Sequence, residues 1–332
     1  MTANTQSATA IRSVRLPNDA DLAAARDVVT RHLSPTPLMQ TVISGTSCSL
    51  KLETMQPTGS FKVRGALAAA SALPPGSRIL AVSAGNHALG IAWASQALGI
   101  PATVVIAETA SPAKRAKLEK LPIELVRYGQ SYDEAEQYAI QLALKQADDV
   151  AFISAYNDPL VIAGAATVLD EIVAQHPGNG PLTIVAPASG GGLLAGIALR
   201  ASQLTSSGRP LIVVGVEVAN SPAMSAALAA GKAVDIPVYD TIADGLSGNI
   251  EPGSMTIDVI SGRVAGVVAV TEDEIFAALR FLASEHGLVA EGAGGAALGA
   301  VLAGKVPAEG DAVAIVSGRN IALPRLAEVL AG

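Results

Sequence analysis

Cysteine is all but missing: Cys48 stands alone among 332 residues. No intrachain disulfide is possible, which fits a reducing compartment. A reactive thiol needs a neighbouring base and electropositive surroundings. Cys48 lies in SCSLKLE, which reads as a strand, so an inert thiol is expected. Charge is scarce as well, at 15% of residues against about 25% in an average soluble protein. Lys plus Arg number 22 and Asp plus Glu 29, a net charge of −7. The densest basic cluster, Lys114, Arg115, Lys117 and Lys120, reads as one solvated helix face. Without a basic footprint, no nucleic-acid partner is expected. Long apolar runs are absent too. Gly292 to Gly304 is about 13 residues, where a membrane helix needs about 20. The start, MTANTQSATAIRSVRLP, has no apolar core of the kind a secretory leader carries. A cytoplasmic protein with no membrane association is expected. The four histidines, His32, His87, His176 and His286, are scattered without metal-ligand spacing, so no metal is expected.

What the chain does have is apolar residues, at 50%. Its length suits two domains or one large unit. Apolar runs alternate with helical stretches: ILAVS at 79–83, ATVVIA at 102–107, ELVRYG at 124–129, VAFISAY at 150–156, LTIVAPA at 182–188, PLIVVGVEV at 210–218, GVVAVT at 266–271 and AVAIVSG at 312–318. Thr271 with Glu274 spells a capping box before the helix that follows. Continuously apolar strands separated by helices argue for an α/β fold with buried parallel sheets. Ligands in such folds sit in the loops leaving the carboxyl ends of strands.

The loops to inspect are therefore SAGNH, PASGGG, EVANSP and SGRN, and three stretches of the chain stand out. PASGGGLLAG, residues 187–196, places Gly190, Gly191 and Gly192 between an apolar strand and a helix. Such a turn points backbone N–H groups inward at a helix start, which makes a phosphate cradle; a flexible loop is the alternative. Neither a G-x-G-x-x-G nor a G-K-[ST] pattern occurs there. In SAGNHALG, residues 83–90, Asn86 is either a plain N-cap or part of a carboxylate site, and His87 is either structural or catalytic. In VAEGAGGAALGA, residues 289–300, the small residues permit close helix packing, and Glu291 needs a partner. Asp244-Gly245 reads as a turn.

The stretch TGSFKVRGA, residues 58–66, puts Lys62 among small residues. Desolvation lowers the pKa of such an amine and makes it a nucleophile toward aldehydes. A lysine together with a phosphate cradle is the pyridoxal phosphate combination; a surface Lys-x-Arg pair is the bland alternative.

From SPTPL (34–38) to SGRN (317–320) the chain resembles the serine/threonine dehydratase family of pyridoxal phosphate enzymes, the fold-type II group typified by the tryptophan synthase β subunit. The family's S-F-K-x-R-G-A is met by Ser60–Ala66, which implies Lys62 as the Schiff-base lysine and Phe61 as the residue packed on the cofactor ring. The family's S-[SA]-G-N-H is met by Ser83, Ala84, Gly85, Asn86 and His87. The likeness implies that this loop holds the substrate carboxylate and that Asn86 bonds the ring hydroxyl. Pro187–Leu193 answers to P-x-G-G-G-G-L, with Ser189 in place of the first glycine. Ser189, Gly190, Gly191, Gly192 and Leu193 are thereby implied to bind the phosphate, and Ser317 to face the pyridine nitrogen. The resemblance also implies a large cofactor-binding domain of residues 1–50 and 155–332 and a small mobile domain of 51–154. Each would be a largely parallel sheet flanked by helices. A homodimer is implied too. So is the reaction: Lys62 takes the α proton of L-threonine, L-serine or a related 3-hydroxy amino acid, the β-hydroxyl leaves, and a 2-oxo acid and ammonia result.

Four departures from the family pattern stand out. Ala84 stands where racemases carry a second serine, so dehydration with little racemisation is expected. In the E-x-x-x-A-x-D cation pattern Glu217 is kept but Ala223 takes the carboxylate's place, so no tightly bound metal is expected. G-Q-G-T becomes Gly164-Ala165-Ala166-Thr167, and Arg319 replaces a glycine. An acidic neighbour is expected to pair with Arg319; reaching for a substrate side chain is the alternative. The chain ends soon after SGRN, which leaves no room for a regulatory domain, so feedback inhibition by isoleucine is not expected. Two other readings remain open: a β-replacement enzyme of the cysteine synthase kind, and a dehydratase for a bulky or acidic 3-hydroxy amino acid.

Overall fold

The computed structural model describes residues 14–146, 149–206, 208–306 and 310–332. Residues 1–13 of the start read above for a leader lie outside them. In chain order the elements are α1 (Asp19–His32), β1 (Leu38–Ile43), β2 (Thr46–Leu52), α2 (Lys62–Ser71), β3 (Arg78–Val82) and α3 (Asn86–Leu98). There follow β4 (Ala102–Ile106), α4 (Pro112–Leu118), β5 (Glu124–Arg127), α5 (Tyr132–Lys145), β6 (Val150–Phe152) and α6 (Pro159–Gln175). Next come β7 (Leu182–Pro187), α7 (Gly192–Thr205), β8 (Leu211–Val218), α8 (Ala223–Ala230) and α9 (Met255–Ile260). The last are β9 (Gly266–Val270), α10 (Glu272–His286), α11 (Gly292–Leu302), β10 (Asp311–Val316) and α12 (Leu323–Ala331). This is the α/β alternation the apolar runs predict. No helix among the described residues is long and apolar enough to cross a membrane.

The chain divides into two compact units, Met1–Ser34 with Lys62–Ala165, and Pro35–Phe61 with Ala166–Gly332. The first holds a four-stranded parallel sheet in the order β5-β4-β3-β6. Ala135, Ala139 and Ala143 recur every four residues on α5 and pack against Leu80, Val82, Val105 and Phe152. The second holds a six-stranded sheet, β1-β2-β10-β7-β8-β9, parallel apart from the β1-β2 pair. Ser44 and Gly45, at φ 50 and 81, join that pair. Two successive positive φ values are what a two-residue hairpin of matching twist demands. Because β2 pairs with β10, a cut at residue 50 would pass through a strand of the second sheet.

The Gly/Ala run of α11 is explained by packing. A Cβ at Gly295 would meet Leu279 at 2.9 Å and one at Gly299 would meet the Glu274 carbonyl at 2.9 Å. Small residues there let α11 lie close against α10. Cys48 is buried in β2, and burial pushes its thiol up to about 11, so it is inert at neutral pH.

Candidate active site

The lysine motif and its surroundings belong to the first unit. Lys62 is the first residue of α2, and its Nζ donates to the Ala155 carbonyl at 2.7 Å. The Ser83–His87 loop leaves the carboxyl end of β3. Gly85, not Asn86, is the N-cap of α3, and no side chain caps the helix there. The N-cap alternative for Asn86 is thereby removed; it is the first helical residue. The Gly85 amide donates to Ser83 Oγ at 3.0 Å, which curls the loop. Ala84 brings only a methyl group.

His87 turns inward and is 2% exposed. Its Nε2 lies 3.1 Å from the Ile153 carbonyl. Burial first, and then the Lys62 charge, hold its pKa down to about 3, so the ring is neutral. The geometry thus gathers Lys62, His87 and the Ile153–Ala155 segment. Gly90 explains the closeness: a Cβ there would sit 3.1 Å from the Lys62 carbonyl carbon and oxygen. Gly164 plays a like part on α6, where a Cβ would lie 2.5 Å from the Arg64 carbonyl oxygen. Ala165 and Ala166, which replace the family's Gln and Gly, are buried.

The glycine loop belongs to the second unit. It follows β7 and opens α7. Ser189 at φ 25 and Gly191 at φ 93 curve the backbone, and Gly191 is an N-cap without side-chain capping. The first N–H groups of α7 therefore face outward from the helix end with partial positive charge. A Cβ at Gly191 would meet Thr256 at 2.7 Å and Met224 at 2.9 Å. Thr256 Oγ1 donates to the Gly190 carbonyl at 2.9 Å, and Ser189 Oγ donates to the Gly245 carbonyl at 3.0 Å. Both bonds hold the loop in its curve, and Asp244–Leu246 is the short 3₁₀ turn that receives the second.

Phe61 and Ser317 lie in two segments knitted together in this unit. The Phe61 amide donates to the Ser317 carbonyl at 3.1 Å, and Ser60 forms an antiparallel bridge with Gly318. The Arg319 amide donates to the Gly59 carbonyl at 2.9 Å. Ser317 is buried, its Oγ 3.3 Å from the Ala293 carbonyl. Glu291, the N-cap of α11, has the partner its burial requires: it accepts from the Asn320 amide at 2.9 Å. The acidic partner expected for Arg319 is not found among the described residues. Its stem lies over Gly59, where a Cβ would be 3.1 Å from Arg319 Cγ, and its guanidinium is 3.9 Å from Met55 Sδ.

A divalent cation does not fit at Glu217. One carboxylate oxygen accepts from the amides of Met224 at 3.0 Å and Ser225 at 3.2 Å, and the other from the Ser225 hydroxyl. Burial pushes this carboxyl upward while those three donors pull it back. The Ala223 side chain adds no oxygen ligand, and no cluster of three His, Cys, Asp or Glu side chains that could hold a metal occurs among the described residues. Pyridoxal phosphate does fit. Each unit taken by itself carries a feature that suits the group: the first a lysine amine in a close-packed setting, the second an uncapped glycine cradle for an anion. Sequence reasoning missed the Ala155 and Ile153 carbonyls, because a backbone acceptor has no residue signature. It also missed the inward turn of His87, which Gly90, one turn further on, could have signalled.

The profile of the family described as "Pyridoxal-phosphate dependent enzyme" matches residues 29–318. An L-threonine ammonia-lyase of Thermotoga maritima is 38% identical over 283 residues, covering 84% of this chain and 68% of that one. A solved T.th. threonine deaminase superposes with a TM-score of 0.82 at 34% identity, over 92% of this chain and 99% of that one. A maize serine racemase superposes with a TM-score of 0.85 at 26% identity, over 96% and 98%. By its sequence, its fold and its lysine and glycine-loop motifs, the chain belongs to the pyridoxal-phosphate dependent enzymes.

Proposed function

We propose that this enzyme is an ammonia-lyase that converts L-threonine, L-serine or a related 3-hydroxy amino acid to a 2-oxo acid and ammonia. The observation that carries the reading is Lys62, which opens a buried helix with its amine 2.7 Å from a backbone carbonyl. The threonine ammonia-lyase and deaminase named above support the substrate class.

Bound pyridoxal phosphate supplies the electron sink that acidifies the α carbon. The amides at Gly190–Leu193, shaped by Ser189, would hold its phosphate, Phe61 would cover its ring, and Ser317 and Asn86 would meet its polar edge. The uncapped turn Ser83–His87 would hold the substrate carboxylate on its amides. Lys62 Nζ takes the α proton. The Cβ–O bond breaks, and the hydroxyl leaves with a proton as water. The enamine so formed takes one water back on hydrolysis and releases ammonia, so the net change is deamination. Ala84 offers no hydroxyl to move a proton on the opposite face, which favours elimination over racemisation.

The absorbance spectrum of the purified protein tests this, before and after L-threonine, L-serine and other 3-hydroxy amino acids, with 2-oxo acid assayed alongside. A visible cofactor band that is lost in Lys62→Ala, together with product from threonine or serine, is the expected result. No band after added pyridoxal phosphate sinks it. Incorporation of an added thiol would indicate β-replacement instead. Arg319, an exposed cation with no carboxylate against it among the described residues, favours one second reading, a substrate with an acidic side chain. Under that reading Arg319→Gly changes substrate preference more than rate. The single buried cysteine supports a cytoplasmic setting, and we propose a homodimer, which light scattering on the eluted protein tests.

A further inference from the structure

The His87 side chain has no part in the chemistry above, which uses only that residue's backbone. Its Nε2 lies 3.1 Å from the Ile153 carbonyl. A carbonyl only accepts, so Nε2 carries the proton and the ring is the Nε2–H tautomer. Nδ1 is then a bare lone pair, buried and without a partner. A leucine would fill such a space and leave no acceptor unpaired. What the imidazole adds is one donor, aimed at Ile153.

That carbonyl lies at a telling place. Ile153 follows the end of β6, where its amide still donates to Leu80. Two residues on, the Ala155 carbonyl accepts from Lys62 Nζ at 2.7 Å. Gly90, three residues after His87 and on the same face of α3, lets the helix meet the Lys62 backbone. One turn of α3 therefore touches the lysine at its backbone, through Gly90, and holds the segment that receives its amine, through His87.

We infer that His87 is a positioning residue for Lys62: its Nε2–H fixes the Ile153–Ala155 segment and with it the carbonyl on which the amine rests. The inference depends on Lys62 being the cofactor lysine, and the test separates the two. The full-length parent, His87→Gln and His87→Leu are freed of cofactor and recombined with pyridoxal phosphate. Growth of the lysine-bound band is followed in time across pH. Glutamine returns an N–H near the place of Nε2; leucine does not. Leucine is expected to slow band formation and kcat by about 10- to 100-fold, the range that a misplaced reacting group produces. KM changes less, and the pH midpoint of band formation moves. Glutamine restores most of the rate. Melting temperatures of the cofactor-free chains identify any loss that is only folding. A leucine variant with parental rate and midpoint overturns the role, as does glutamine no faster than leucine at matched melting temperature. If the leucine variant does not fold, glutamine decides: a rate within a few-fold of parent upholds the role and a larger loss overturns it. No band in the parent, or one that survives in Lys62→Ala, overturns the lysine assignment and the inference with it.

Discussion

Two helices of the second unit begin in opposite ways. At α10 the Thr271 hydroxyl accepts from the Glu274 amide at 3.3 Å, and the Glu274 carboxylate accepts from the Thr271 amide at 2.8 Å. At α7 the N-cap is Gly191 at φ 93, with no side-chain cap. Both follow a parallel strand, and both present N–H groups that their own helix cannot satisfy. The one helix satisfies them locally; the other has no side chain that does so. The first unit repeats the contrast. Asn18 and Asp21 box the start of α1, whereas α3 starts on Gly85 uncapped. Side-chain caps are thus made at α1 and α10 and are missing at α3 and α7, the helices that open on the two loops singled out by their motifs.

The largest effect is expected at Lys62, the proposed cofactor lysine. Lys62→Ala should remove the cofactor band and lower turnover by about 10²- to 10⁴-fold, the usual worth of a positioned proton acceptor. Steady-state kinetics with a spectrum of the same sample checks it. Next in size is Gly191→Ala. It forces a side chain into left-handed backbone and toward Thr256 at 2.7 Å, a strain of about 1–3 kcal/mol. Cofactor affinity, measured by equilibrium titration of the cofactor-free chain, should fall about tenfold or more. Thr271→Ala is the control on the capped helix. It should cost about 1 kcal/mol of unfolding free energy and leave both turnover and cofactor affinity unchanged. A cap loss at α10 that weakened cofactor binding would erase the distinction between the two helix starts.

The capped start also carries a pH signature. Burial alone would raise the Glu274 pKa, but the Lys305 ammonium and the Thr271 amide and hydroxyl hold it below the ordinary glutamate range. A depressed carboxyl contributes stability above its unfolded value, about 4.3, and loses that contribution as pH falls through its lower folded value. Chemical denaturation of parent and Glu274→Gln should therefore differ most above about pH 5 and converge in acid.

Much of this was legible in the sequence, for physical reasons. The apolar runs of β4 and β7 are buried throughout, so a continuous hydrophobic pattern meant what it usually means. Thr271 with Glu274 spelled a cap whose bonds the structure contains. The hairpin strand β1 was not legible. Its LMQTVI mixes polar and apolar residues at a sheet edge, where burial pattern is weak. The Lys62, Phe61 and glycine-loop motifs could be read as chemistry because each is a local run of residues. The Ala155 carbonyl could not, since it meets Lys62 across 93 positions of chain and carries no side chain of its own. Arg319 misled for a related reason: a charge suggests a partner, but where its stem lies is decided by Gly59 and Met55, not by its own neighbours in sequence.

The smallest expected effect is the absence of one, at Glu217. This carboxylate reverses the logic of α7, because it turns back on α8 and takes the amides of Met224 and Ser225 for itself. An anion supplied from within the chain thus satisfies one helix start, as an outside anion would satisfy another. A chelator should accordingly change neither turnover nor melting temperature, and magnesium, manganese or calcium should add nothing. Ala223→Asp makes the test two-sided. It restores a second carboxylate at the start of α8, where the like charge of Glu217 must be neutralised or the segment must open. A melting temperature that falls in Ala223→Asp and recovers with added divalent cation would mean that a cation does there what the α8 amides now do. A chelator-sensitive parent would mean that the Glu217 carboxylate leaves those amides for a metal, and that capping here is exchanged rather than fixed.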